Sequence, residues 1–154
     1  MSDDLNCTCY RLRKADRLLS RIYDSALAGT GVSIVQFAVL AELERAGARG
    51  ITALAETLGT DRTTMTRTLD RMAGLGWVTV EETEDARLHR HQVTDAGHAV
   101  FVEAWRGWRR AETAIAKSMG GERLALLWEL LGEAEQAARN ASIQPASSAT
   151  GPAT

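Results

Sequence analysis

The sequence predicts a mainly α fold with one small β-hairpin, and three observations carry that reading. Apolar residues recur at three- and four-residue steps along most of the chain, which is the spacing of one helix face. Only the stretch from Gly74 to Thr94 changes period, to short, β-branched, alternating runs. Glycines and capping residues fall at the breaks between the periodic segments. With 154 residues, 45% hydrophobic and 25% charged, the chain is long enough for one buried core and too short for two well-built ones.

The first helix is expected from about Cys9 to Leu27, where Leu12, Ala15, Leu19, Ile22 and Ala26 make an apolar stripe. Gly29-Thr30-Gly31 ends it. Ser33 and Gln36 then form a capping box, and Val32 is placed to staple onto Phe37. That second helix continues through Leu40 and Ala41 to Ala46-Gly47. Ile51, Leu54, Ala55 and Leu58 mark a short third helix that Gly59 stops in a left-handed conformation. Asp61 caps a fourth, whose apolar positions are Met65, Leu69 and Met72. Trp77–Val80 and Arg90–Val93 read as two strands around a polar, charged loop. Thr94 caps a long helix carrying Phe101, Trp105, Trp108, Ile115 and Met119. Gly120-Gly121 interrupts it, and a last helix presents Leu124, Leu127, Trp128, Leu131 and Ala138. From Ser142 onward no apolar period remains, and a disordered tail is expected.

Several function classes drop out. Eighteen basic against twenty acidic side chains leave a formal net charge of -2, so a nucleic-acid partner would have to be met by a local patch. No Gly-rich phosphate loop, His-Glu-x-x-His pair or nucleophile–base pair stands at a usable spacing. An enzyme is therefore not expected, and neither a cofactor nor a metal. His89-x-His91 and the two cysteines fall in different parts of the fold, which argues against zinc. No apolar run approaches the roughly 20 residues that span a bilayer, and the start has no signal-peptide pattern. A cytoplasmic protein with no membrane partner is expected.

Leu58-Gly59-Thr60-Asp61 joins two short helices as a helix-turn-helix does. With Met65, Leu69 and Met72 inward, 100° steps put Thr63, Thr66, Arg67 and Asp70 on the opposite face. Threonines can bond phosphates or touch thymine methyls, and arginine can read guanine in the major groove. Arg62, Thr63, Thr64, Thr66, Arg67 and Arg71 are the candidate DNA contacts of this helix. The plain alternative is a solvated helix face. The hairpin that follows would act as a wing, with Asp85, Arg87, His89 and Arg90 as its candidate contacts. Asp85 and Arg87 could pair across the loop while a second basic residue meets phosphate. The plain alternative there is an exposed loop with unrelated charges.

Gln36-Phe37-x-Val39-Leu40, Leu54-Ala55, Thr66-Arg67-Thr68-Leu69-Asp70-Arg71-Met72, Gly76-Trp77-Val78, Asp85-Ala86-Arg87 and Val93-Thr94-Asp95-Ala96-Gly97 form an ordered series. That series resembles the MarR family of bacterial transcription regulators. The resemblance implies a winged helix-turn-helix core and an obligate homodimer built from the N- and C-terminal helices. It also implies repression of a nearby operon through a near-palindromic operator. By the same resemblance Thr63, Thr66 and Arg67 are DNA-facing, and Asp85 and Arg87 are the wing signature. The expected layout is an N-terminal dimerisation helix over 1–30 and a DNA-binding module over 31–94. C-terminal dimerisation helices follow over 95–140, and a tail over 141–154.

Two departures bear on affinity. Val80 and Ala86 stand where the family often carries arginine. From Gly59 to Val93, five arginines meet six acids, leaving that module at minus one, so weak or strongly salt-sensitive DNA binding is expected. The dimer also has a residue-level basis, because leaving Trp105, Trp108 and Trp128 wet would cost roughly 25 cal/mol per Å² of apolar area. The alternative is packing of these helices within one chain.

A small aromatic or carboxylate effector is the expected switch, lined by Tyr23, Phe37 and Trp105 with Arg11 for a carboxylate. Tyr23, Phe37 and Trp105 are each equally explicable as core. The runner-up is a thiol-based oxidant sensor. In the organic-hydroperoxide-sensing branch of the family a cysteine lies near the start of the first helix, with tyrosines to bond it. Cys9 and Tyr23 stand at a compatible separation, with Cys7 as a second thiol, but Arg13 occupies the place of another tyrosine. Arg11 and Arg13 could lower a thiol pKa; two inert thiols are the alternative. A winged helix used only for protein contacts is the remaining reading.

Overall fold

The computed structural model describes residues 7–81 and 89–141. It divides into two compact units, Met1–Thr113 and Ala114–Thr154. The first holds α1 (Thr8–Leu27), a 3-10 turn (Ala28–Thr30), α2 (Ile34–Ala46), β1 (Arg49–Gly50), α3 (Ile51–Thr57), α4 (Arg62–Gly74), β2 (Val78–Val80), β3 (Arg90–Val93) and most of α5 (Asp95–Met119). The second holds the end of α5 and α6 (Gly121–Asn140). The expected mainly α fold with a winged helix-turn-helix is the observed one. No single helix among the described residues is long and apolar enough to cross a membrane.

Local chemistry sets the boundaries. At the start of α2 the Gln36 amide N–H donates to Ser33 Oγ at 3.3 Å and the Ser33 N–H donates to Gln36 Oε1 at 3.0 Å, closing the capping box. Val32 and Phe37 are both buried in one apolar cluster, so the staple forms. Past α3 the Thr60 N–H reaches Ala55 O at 2.9 Å and the Gly59 N–H reaches Glu56 O at 3.3 Å. This is a Schellman stop, and Gly59 supplies its left-handed residue with φ 62°. The sheet holds one strand more than the hairpin expected from the sequence. Its order is β1-β3-β2, all antiparallel, with Arg49 opposite His91 and Val78 opposite Val93.

The core of the first unit is continuous. Val39, Leu40 and Leu43 of α2, Leu54 of α3 and Met65, Leu69 and Met72 of α4 are buried together with Val78 of β2. A second cluster joins Leu27, Val32 and Phe37 to Ala104 of α5. Aromatic rings continue it, with Phe37 stacked on Phe101 at 5.5 Å and on Trp108 at 5.8 Å between centroids. Glycine lets α5 approach its neighbours: a Cβ on Gly107 would stand 2.5 Å from Ala26 O, the carbonyl that also accepts from Arg110 Nη2 at 3.2 Å.

His91 gives the sheet a pH dependence. It is buried on β3, and its Nδ1 has no hydrogen-bond partner among the described residues. Burial holds its pKa below the ordinary 6.5, opposed in part by the Asp70 carboxylate. Between the folded pKa and 6.5 the unfolded chain binds the extra proton, so stability should rise with pH through that window and level off above it. Denaturant midpoints compared from about pH 5 to 7.5 should show wild type losing stability relative to His91→Leu on acidification. A constant gap would show that His91 carries no protonation linkage.

Candidate nucleic-acid interface

Asp61 builds the entry to α4. Its carboxylate accepts from the Thr64 N–H at 2.8 Å and from the Thr64 hydroxyl at 2.6 Å. These hydrogen bonds from Thr64 hold the Asp61 pKa below its usual value. Met65, Leu69 and Met72 then point into the core, which turns the opposite side of the helix outward. Arg62, Thr63, Arg67 and Arg71 are exposed, and among the described residues their side chains make no hydrogen bond or ion pair. Thr66 is half-buried and returns its hydroxyl to Arg62 O at 2.8 Å, and Thr64 is committed to the cap. Of the candidate contacts on this helix, Thr63 and the three arginines are therefore the ones whose polar groups have no partner among the described residues.

Two concave surfaces flank α4. On one side Arg67 and Arg71, with Thr64 and Thr68, face the beginning of α2 across a groove of about 410 Å³. On the other, Arg62 faces Arg49, His89 and Arg90 across a cleft of about 520 Å³ at the base of the hairpin. His89 is exposed. Arg90 is largely engaged: its Nη2 and Nε donate to Ala48 O at 2.6 and 3.2 Å, and its Nη1 lies 3.5 Å from Glu81. That makes Arg90 a brace between β3 and the segment before β1. Asp85 and Arg87 lie outside the described residues. Arg49 was not among the candidates from sequence, because only the pairing of β1 with β3 brings it beside the hairpin.

The candidate effector residues do not form one set. The Tyr23 hydroxyl donates to Glu112 Oε1, linking α1 to α5, and burial with this carboxylate raises its pKa. Phe37 is 4% exposed and belongs to the core, whereas Trp105 is 40% exposed although its ring meets Phe37, Phe101 and Trp108. Arg11 is exposed on α1. Cys7 and Cys9 are both exposed free thiols. Cys7 is the N-cap of α1, with extended backbone at φ -90° and ψ 121°, so only Cys9 lies within the helix.

A helix with an exposed Thr/Arg face, between two arginine-lined recesses and followed by a hairpin, is the layout by which winged helices meet duplex DNA. Comparison with known proteins agrees. A model described as the MarR family matches residues 32–89. The M. tuberculosis transcriptional regulator MosR in complex with DNA is similar at 35% identity over 86% of this chain and 98% of MosR, with a TM-score of 0.74. The transcriptional repressor CouR bound to a 23-mer DNA duplex is similar at 25% identity over 84% of this chain and 93% of CouR, with a TM-score of 0.78. CouR bound to p-coumaroyl-CoA gives a TM-score of 0.76 at 25% identity, over 86% of this chain and 94% of that one. No curated protein matches the chain by sequence. The chain belongs to the MarR family of DNA-binding transcription regulators.

Proposed function

We propose that the protein is a repressor that binds a near-palindromic operator as a homodimer, with α4 in the major groove, and that a small effector releases it. The observation that carries this reading is the outward face of α4, where Thr63 and Arg67 are exposed and have no partner among the described residues, beside the capped turn. Dimerisation has independent support. Leu12, Leu18 and Ile22 of α1 are 42–53% exposed, and Leu126, Trp128 and Leu130 of α6 are 50–59% exposed. Exposed large apolar side chains on two long helices are what an interface between copies covers. In the proposed layout residues 1–30 and 95–140 serve that pairing and 31–94 the DNA. The ligand held by CouR supports an aromatic or carboxylate effector, and Trp105 and Arg11 are the accessible residues to meet one. Binding of the chain to its own upstream DNA, with and without competitor duplex, tests the reading; retention of random and upstream DNA alike would count against it.

A second reading is favoured by the backbone at Cys7. Two cysteines at i, i+2 inside a helix point to different faces, but Cys7 sits in extended backbone outside it. An organic hydroperoxide would transfer one oxygen to the Cys9 thiolate, giving a sulfenic acid and an alcohol. The Cys7 thiol would then displace that oxygen as water and leave a Cys7–Cys9 disulfide. A mobility shift with hydroperoxide on wild type, Cys7→Ser and Cys9→Ser should leave all three bound if the effector alone is the switch. Release confined to the wild type would establish the thiol mechanism instead.

A further inference from the structure

We infer that the cleft between β1 and the start of α4 is a binding site for a DNA backbone phosphate, and that Arg49 is its principal unassigned ligand. The inference rests on the reading that α4 enters DNA, and extends it to a residue outside both the helix-turn-helix and the wing.

The cleft brings together basic side chains from three separate places in the sequence: Arg49 on β1, Arg62 at the start of α4, and His89 and Arg90 at the foot of β3. Among the described residues no carboxylate lines it. This concentration is unusual in a chain whose DNA module carries net negative charge, as the count from Gly59 to Val93 shows. The three arginines are not equally available. Arg90 is held by Ala48 O and Glu81, which fixes the wall of the cleft. Arg49 makes one long ion pair among the described residues, its Nη2 standing 3.8 Å from Glu42 Oε1. Both Glu42 oxygens are already taken by Arg45 at 2.8 Å. The Arg49 Nε is buried and has no partner among the described residues. The Arg49 side chain as a whole is 41% exposed, which leaves the outer part of its guanidinium open to a phosphate oxygen in the cleft. Arg62 has no acceptor among the described residues either.

Position selects DNA over a free anion. The cleft of about 520 Å³ lies between the first residue of α4 and the base of the hairpin. The groove holding Arg67 and Arg71 lies at another part of α4. A duplex that admits α4 into its major groove has a phosphate strand along either edge of that groove, and the two arginine-lined recesses meet one each.

The test is the salt dependence of binding, read by fluorescence anisotropy for wild type, Arg49→Gln and Arg49→Lys on upstream DNA and on a scrambled duplex. Loss of one phosphate contact lowers the log–log slope by about 0.9. Each chain of the dimer carries Arg49, so two contacts go, and between 50 and 200 mM salt Arg49→Gln should lose about 12-fold less affinity than wild type, alike on both duplexes. Arg49→Lys should restore most of the slope. Glu42 keeps Arg45, so the thermal midpoint of Arg49→Gln should remain near wild type. An unchanged slope in a folded Arg49→Gln overturns the assignment. Stabilisation of the wild type by inorganic phosphate, lost in Arg49→Gln without any change in DNA slope, would make the cleft a site for a free anion instead. If wild type binds neither duplex, α4 is not a DNA-reading helix and both readings fall; if wild type binds and only the Arg49 slope is unmoved, the cleft assignment falls alone.

Discussion

Arg67→Ala is expected to abolish the preference for operator over random DNA while leaving the fold intact. Arg67 is exposed, on the side of α4 opposite the buried Met65, Leu69 and Met72. It holds no intramolecular partner among the described residues, so its removal leaves no orphaned acceptor behind. A bidentate arginine contact to a base edge is worth about 1–3 kcal/mol of discrimination, and a dimer on two half-sites makes the contact twice. Residual binding should become uniform across sequences and remain salt-sensitive, since the phosphate contacts persist. Competitive titration against scrambled duplex measures this directly. Unchanged affinity and preference would remove Arg67 from the reading face.

The largest stability effect should come from a glycine with ordinary helical backbone. A Cβ on Gly97 would stand 2.0 Å from Trp77 O, 2.8 Å from its carbonyl carbon and 2.9 Å from Val93 Cγ1. That carbonyl already accepts the Thr94 N–H at 3.0 Å, so it cannot swing aside without breaking the junction between the sheet and α5. Thr94 is itself fixed there, its hydroxyl donating to Gly76 O at 2.6 Å and accepting from the Gly97 N–H at 3.0 Å. Gly97→Ala should therefore destabilise by about 1–3 kcal/mol or more, as overpacking does, and lower the thermal midpoint by about 2–4 °C for each kcal/mol. Gly132, on α6, has nothing within 4 Å of such a Cβ. Gly132→Ala should stabilise slightly through helix propensity, so the two alanines should shift the midpoint in opposite directions. Equal shifts would mean that the contact at Trp77 yields freely.

Much of this was legible in the chain because it is written locally. Ser33 with Gln36, Gly59, Asp61 and Thr94 each act within a few residues, and each occurs where its pattern placed it. Periodicity likewise identified Met65, Leu69 and Met72 as the inward face of α4. The third strand was not legible: two residues long, Arg49 and Gly50 have no period of their own, and they become a strand only by pairing with Arg90 and His91 about forty residues later. Arg49 was missed for the same reason. Polar commitments were also hidden. Helical spacing put Thr66 on the outward face, but it could not show that its hydroxyl returns to Arg62 O, nor that Arg90 is bound to Ala48 O. Phe37 could have lined a ligand site or the core, and long-range stacking against Phe101 and Trp108 made it core. Local signals determine where helices begin and end; which polar groups stay free depends on contacts that sequence spacing does not encode.

The most direct test of the account is selection of binding sites from random duplex DNA by the full chain at physiological salt. A dimer that places one α4 in each of two successive major grooves predicts enrichment of an inverted repeat whose half-site centres lie about 10–10.5 base pairs apart. The enriched duplex should bind two chains, and its preference should vanish with Arg67→Ala. Recovery of no enriched sequence, or of one that binds a single chain and tolerates Arg67→Ala, would contradict it.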